Sequence, residues 1–199
     1  REDRIPCKVL SPGAKCAASY NADMALPPDI CIRGAGIVGR TLALLLARER
    51  LNVALVASPA PAHPDVRAYS LNGAAKELLQ DLRCWPDSPA VTPVHRMQVW
   101  GDHGGHLSFG AQEQGVGELN WMVDVPVLEA RLAAAVQFQP QIEVVNAPVT
   151  APLTVVCEGR ASQTRAELGV GFDISHYEQH AVATRLVCER PHEGIARQW

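Results

Sequence analysis

The run Asp29-Ile-Cys-Ile-Arg-Gly34-Ala-Gly36-Ile-Val-Gly39 leads straight into an apolar segment over 41–47, and it limits what this chain can fold into more than any other feature. A short β-type stretch meets G-x-G-x-x-G, and the glycines open a helix. In that order each glycine has a physical task. Gly34 makes the tight turn, Gly36 leaves room for a pyrophosphate against bare backbone, and Gly39 lets helix and strand pack closely. The phosphates would rest on the helix N-terminus, where unpaired N–H groups and the macrodipole favour negative charge. A glycine-rich turn alone would satisfy the motif. The second apolar stretch over 52–57 completes a β-α-β frame and favours dinucleotide binding over that plainer reading.

Hydrophobic residues at 47% and charged residues at 20% of 199 describe a globular chain with a core rather than a disordered one. A net charge of −3 offers no basic face to offset phosphate repulsion, so nucleic acid is not an expected partner. The apolar run over 42–47 is too short to span a bilayer. Six cysteines, at Cys7, Cys16, Cys31, Cys84, Cys157 and Cys188, contain no C-x-x-C pair. Cys31 and Cys157 fall in expected buried strands, so the cysteines read as small hydrophobes in a reducing cytoplasm. Residues 1–23 lack periodicity and signal-peptide order, and Met24 has the appearance of a natural start. They are expected to be a disordered or non-native extension, with 24–199 forming the domain. Residues 197–199 end the chain with no expected closing element.

The pattern predicts strands over 30–32 and 53–56 around a helix over 38–48. A proline-rich turn follows over 58–64. Asn72 is expected to N-cap a helix reaching Leu82, with Leu78, Leu79 and Leu82 on one stripe. Residues 94–100 and 106–109 form an expected hairpin around a glycine-rich turn, an insertion over 94–110 assigned to the substrate side. A helix over 127–136 follows Pro126, and strands are expected over 141–145, 153–157 and 182–189. The fold class is α/β: a Rossmann-like β-α-β with a parallel sheet and an inserted antiparallel hairpin, incomplete at the C-terminus.

Three ordered passages carry a family resemblance: the glycine β-α-β; Asp65-Val-Arg67-Ala68-Tyr-Ser70-Leu71, followed by a helix and Arg83-Cys-Trp85-Pro86; and Glu158-Gly159-Arg-Ala-Ser162-Gln-Thr-Arg165 with Leu168-Gly169-Val170, Tyr177-x-Gln179-x-Ala181 and Pro191-His192 behind it. Over 29–199 the chain resembles FAD-dependent aromatic hydroxylases of the ubiquinone-biosynthesis type, among the single-component flavoprotein monooxygenases. The resemblance implies FAD held by Gly34, Ala35, Gly36, Val38, Gly39, Ser58 and Arg67, with NAD(P)H as electron donor. It further implies a small aromatic or polyprenylated phenol as substrate, and leaves peripheral membrane or multi-subunit association open. The family's later Gly-Asp segment, which holds the ribitol, is not found in 1–199. The resemblance therefore covers an N-terminal portion, and this chain by itself is not expected to hydroxylate.

Four positions depart from the family. Ala57 stands where an acid binds the adenosine ribose, leaving Ser58 to make only part of that contact. Val125 replaces a frequent polar residue, Glu158 replaces an aspartate, and Arg50 replaces a helix-ending glycine. No catalytic acid–base pair is assigned, because the chemistry of such enzymes resides on the flavin. Arg67 reads as a flavin- or phosphate-steadying cation, with a solvated loop arginine as its plainer alternative. Glu158 and Arg165 read equally well as a structural ion pair. Asp102, His103 and His106 sit on the glycine-rich turn and read as solvated residues rather than metal ligands. His192 is expected in a loop, and Trp85, Trp100 and Trp121 in packing. Two functions remain open: an FAD-dependent monooxygenase or part of one, and a non-catalytic relative serving as a binding or assembly subunit.

Overall fold

The computed structural model describes residues 27–57, 65–160, 162–171 and 173–199. Readings that fall on 1–26 and 58–64, including Cys7, Cys16, Ser58 and the proline-rich turn, lie outside the described residues. In chain order the frame opens with β1 (Ile30–Arg33), α1 (Ile37–Arg48), β2 (Val53–Val56), β3 (Ala68–Leu71) and α2 (Gly73–Asp81). It continues with β4 (Val91–Val94), β5 (Arg96–Trp100), β6 (His106–Gly110), β7 (Asn120–Asp124) and α3 (Val125–Gln137). The last elements are β8 (Ile142–Val145), β9 (Leu153–Val156), α4 (Gln163–Glu167) and β10 (Ile195–Gln198).

A parallel sheet of order β8-β2-β1-β9 carries the site. Ile30 and Ile32 share one face with Val53 and Leu55 because side chains repeat every second residue. Ala43, Leu44 and Ala47 of α1 and Leu128, Leu132 and Val136 of α3 join these four in one buried cluster. Arg40 reaches from α1 to the Glu129 carbonyl of α3 at 3.4 Å. A second sheet, β3-β7-β4, is antiparallel, and its central β7 buries Trp121 and Val123 by the same alternation. Trp121 meets Trp85 edge-on at 6.2 Å and carries the Lys76 ammonium 4.1 Å above its ring.

The third sheet, β10-β5-β6, contains the expected hairpin, but its first strand is divided. Val94 ends β4, and His95 turns the chain, donating its N–H to Gly194 O at 2.8 Å. Residues 182–189 are not a strand: they have no regular structure, and Val182, Leu186 and Val187 are exposed. Their β-type composition finds no partner strand among the described residues. The chain end, by contrast, does close an element. Residues 195–198 form β10 beside β5, a long-range parallel pairing that leaves no local pattern. Leu78 is exposed, so the α2 stripe is Leu79 and Leu82 alone. Cys157 lies just past β9 and is half-buried, not inside the strand.

Both α1 and α2 end on an arginine in the left-handed region. Arg50 has φ 62, with its N–H to Ala47 O at 3.0 Å and the Leu51 N–H to Leu46 O at 3.2 Å. That paired bonding is a Schellman cap, whose left-handed position favours glycine because a Cβ crowds the following carbonyl. Arg83 at φ 57 repeats it after α2. Arg50→Gly should therefore stabilise the chain by about 1 kcal/mol in urea unfolding. An unchanged or lower midpoint would mean that the cap relaxes in solution.

Candidate dinucleotide site

The site begins where β1 stops. Gly34 turns the chain at φ 111, and its N–H bonds to Val56 O at 3.1 Å, tying the turn to β2. A Cβ on Gly34 would stand 2.5 Å from Cys157 O, so the turn admits only glycine. Helix α1 starts at Ile37, one residue earlier than its pattern predicts, and Gly39 lies in its first turn. A Cβ on Gly39 would lie 1.9 Å from Gly34 O. The bare Cα is what lets α1 seat on the end of β1.

Gly36 differs from both. It is exposed, precedes the helix, and a Cβ there would meet nothing within 4 Å. Above it the N-terminus of α1 has no side-chain cap and no acid in its first turn. Val38 points outward at 68% exposure, and Ala35 is half-buried. Gly34 makes the turn and Gly39 the close packing that their spacing assigns, and the open space beside Gly36 over uncapped helical N–H groups is of a kind that fits a pyrophosphate.

Behind the loop lies a polar knot that spacing did not reveal. Arg33, the last residue of β1, places Nε 3.2 Å from Glu158 and Nη1 3.2 Å from Glu167. Glu158 also accepts from Ser162 Oγ at 2.7 Å, Thr164 Oγ1 at 2.6 Å and Thr164 N at 3.0 Å. The Thr164 hydroxyl, foremost among these donors, pulls the Glu158 carboxyl down to about 2. Ser162 in turn caps α4 by accepting from Arg165 N at 3.1 Å. Glu158 thus fastens α4 to the strand end that carries Gly34, and its ion pair runs to Arg33. The Arg165 guanidinium donates to Arg160 O at 3.3 Å. The available signal for Arg33 was a charge ending an otherwise apolar strand.

The other candidates are spread over the fold. Ala57 follows β2, its N–H bonded to Val145 O at 2.9 Å, and its methyl side chain offers no acceptor. Val125 is fully buried as the first residue of α3, and its aliphatic side chain offers no polar contact there. Arg67 precedes β3 in the other sheet. It grips Asp65 through Nε and Nη2, the latter at 2.6 Å, and donates Nη1 to Tyr69 Oη at 3.1 Å. That grip draws Asp65 down to about 2. Arg67 is therefore an exposed but neutralised cation. Asp102 and His103 lie exposed on the hairpin turn, and His106 stacks on Trp100 at 4.9 Å. Among the described residues no group of three or more His, Cys, Asp or Glu is placed to hold a metal. His192 Nδ1 accepts from Gly194 N at 2.9 Å in the loop before β10. Trp100 is sandwiched, with Trp199 stacked on it at 5.4 Å. No described helix is long and apolar enough to cross a membrane.

No family model matches the chain. It is 28% identical to the 3-demethoxyubiquinol 3-hydroxylase of Escherichia coli, covering 82% of this chain and 49% of that protein. It is 29% identical to the ubiquinone hydroxylase UbiL of Rhodospirillum rubrum, over 84% of this chain and 46% of that one. The chain thus spans about half the length of the curated relatives it matches. Among solved structures it is similar to PqsL of Pseudomonas aeruginosa, a probable FAD-dependent monooxygenase, with a TM-score of 0.61 at 16% identity over 75% of this chain and 48% of that one. PieE, a flavin-dependent monooxygenase solved with FAD and substrate, superposes with a TM-score of 0.58 at 20% identity, over 73% of this chain and 32% of its own. The resemblance in sequence is to ubiquinone-type hydroxylases. The mixed α/β fold, with one parallel, one antiparallel and one mixed sheet, is similar to that of these solved monooxygenases.

The Glu158 knot has a pH signature. Because folding lowers its pKa, its contribution to stability is complete above the unfolded value of about 4.5 and disappears as pH falls toward 2. Glu158→Gln should lower stability at pH 7 by roughly 1–2 kcal/mol, with the gap from wild type closing between pH 4.5 and 2. A gap independent of pH would show that the charge of Glu158 does not hold α4.

Proposed function

We propose that this chain supplies the FAD-binding nucleotide end of an aromatic-ring monooxygenase acting on a ubiquinone-type phenol or quinol. The observation that carries the reading is the open, uncapped N-terminus of α1 above Gly36, set in a sequence similar over most of its length to two ubiquinone hydroxylases. Gly34, Ala35, Gly36, Val38 and Gly39 are the proposed cradle. Backbone N–H groups at the start of α1 would hold the pyrophosphate by charge-assisted bonds, and Ser58 would share the ribose contact. Arg67, oriented by Asp65 and Tyr69, is the proposed polar neighbour of the cofactor. Bound FAD supplies the oxygen chemistry, with NAD(P)H as the proposed source of electrons. The role of the protein is to position the cofactor and keep water from the reacting ring.

Ala57 supports the second reading, a non-catalytic relative, because the ribose loses its usual carboxylate. Intact glycine geometry and similarity to two hydroxylases favour the enzyme. The same alanine sets the expected affinity: one charged hydrogen bond is worth about 1.5–3 kcal/mol, so FAD should bind weakly and leave on desalting.

Flavin-fluorescence titration tests the reading. Gly36→Ala should lower FAD affinity at least tenfold while costing no more than about 1 kcal/mol of unfolding free energy, the ordinary difference between alanine and glycine at an N-cap, since its methyl meets no protein atom. Ala57→Glu should tighten binding. Equal FAD affinity in wild type and Gly36→Ala would remove the glycine cradle from the proposal.

A further inference from the structure

Arg185 lies in a stretch without regular structure, yet its guanidinium joins two distant parts of the fold. Nε donates to Val66 O at 3.2 Å, Nη2 donates to Arg67 O at 3.3 Å, and Nη1 bonds the Asp124 carboxylate at the start of α3. Arg67 O also accepts from Val125 N at 3.2 Å. One planar fork therefore spans two successive carbonyls and a carboxylate, a pattern that an ammonium cannot reproduce. The segment it grips has little packing to hold it, because Ala68, Tyr69 and Ser70 of β3 are all exposed. Polar contacts must fix its position: pairing with β7, the Val125 N–H and Arg185.

We propose that Arg185 is a positioning residue that fastens the segment 66–69 to the start of α3, so that Arg67 and Tyr69 meet the cofactor from a preset place. Arg185 itself need not touch the cofactor, since each of its three nitrogens already donates to a protein acceptor. This proposal rests on the FAD reading above for what the segment faces, but not for the fastening itself. Arg67 and Tyr69 hold each other through the 3.1 Å hydrogen bond, so they move as a unit with the backbone that Arg185 grips.

Two measurements on the whole chain decide it. Hydrogen exchange in the absence of FAD should show residues 66–71 exchanging about tenfold faster in Arg185→Ala than in wild type. Arg185→Lys should fall between them, and Asp124→Asn should speed exchange in the same segment. Unchanged exchange in a folded Arg185→Ala, checked by circular dichroism, would overturn the fastening. In FAD titrations Arg185→Ala should weaken binding about fivefold, and in an Arg67→Ala background the same change should add less than twofold. Additive losses would overturn the positioning role and mean that Arg185 acts on the cofactor independently. If the wild-type chain takes up no FAD, the functional reading and the presentation to cofactor both fail, and the exchange result still decides the fastening.

Discussion

The contact between Gly39 and the Gly34 carbonyl sets the rest of this structure. Without a Cβ at Gly39, the first turn of α1 settles directly on the end of β1, and any side chain there would drive the two apart. That seating brings Ala43 and Ala47, both small, onto the sheet, and aligns Leu44 with the strands beneath. It also leaves the first N–H groups of α1 aimed past Gly36 into open space. Core packing and the proposed binding surface thus arise from one close approach.

The ion pairs of the fold have a common form. Arg33 faces Glu158 and Glu167, Arg67 faces Asp65, and Arg185 faces Asp124. Each guanidinium already has a carboxylate partner, so in the proposed site the attraction for a pyrophosphate would fall mainly on backbone N–H groups and the α1 dipole. Such donors are fixed in place by the fold and need no reorganisation when a ligand arrives. These pairs instead hold backbone: Glu158 and Arg33 pin α4 behind the loop, and Arg185 pins the segment before β3 that carries Arg67. Arg67 illustrates the difference. Its type and context suggested a free cation, whereas its geometry makes it a rigid one.

Local signals were legible wherever chemistry and chain neighbours coincide. The glycine spacing predicted β1, α1 and β2 within a residue. Asn72 does cap α2, accepting from Ala75 N at 2.9 Å, and Pro126 lies in the first turn of α3. Even the departure at Arg50 was informative, since the left-handed conformation persists under an arginine. Elements defined by distant partners were not legible. Residues 195–198 become β10 only because β5 lies beside them, and 182–189 stay irregular despite strand-like composition. The partners of Glu158 were obscured for the same reason: Arg33 precedes it by more than a hundred residues. Arg185 carried no motif, and its three acceptors come together only in the folded chain. Ser58 and the rest of 58–64 lie outside the described residues, so the ribose end of the proposed site rests on sequence similarity.

The central claim is that the N-terminus of α1 binds the FAD pyrophosphate. Amide NMR of the labelled chain tests it most directly, by titrating FAD and following each backbone N–H. The largest shifts should fall on Gly36, Ile37 and Val38, as charge-assisted bonds form, and ADP should reproduce them. Shifts that saturate elsewhere while those three amides stay still would contradict it.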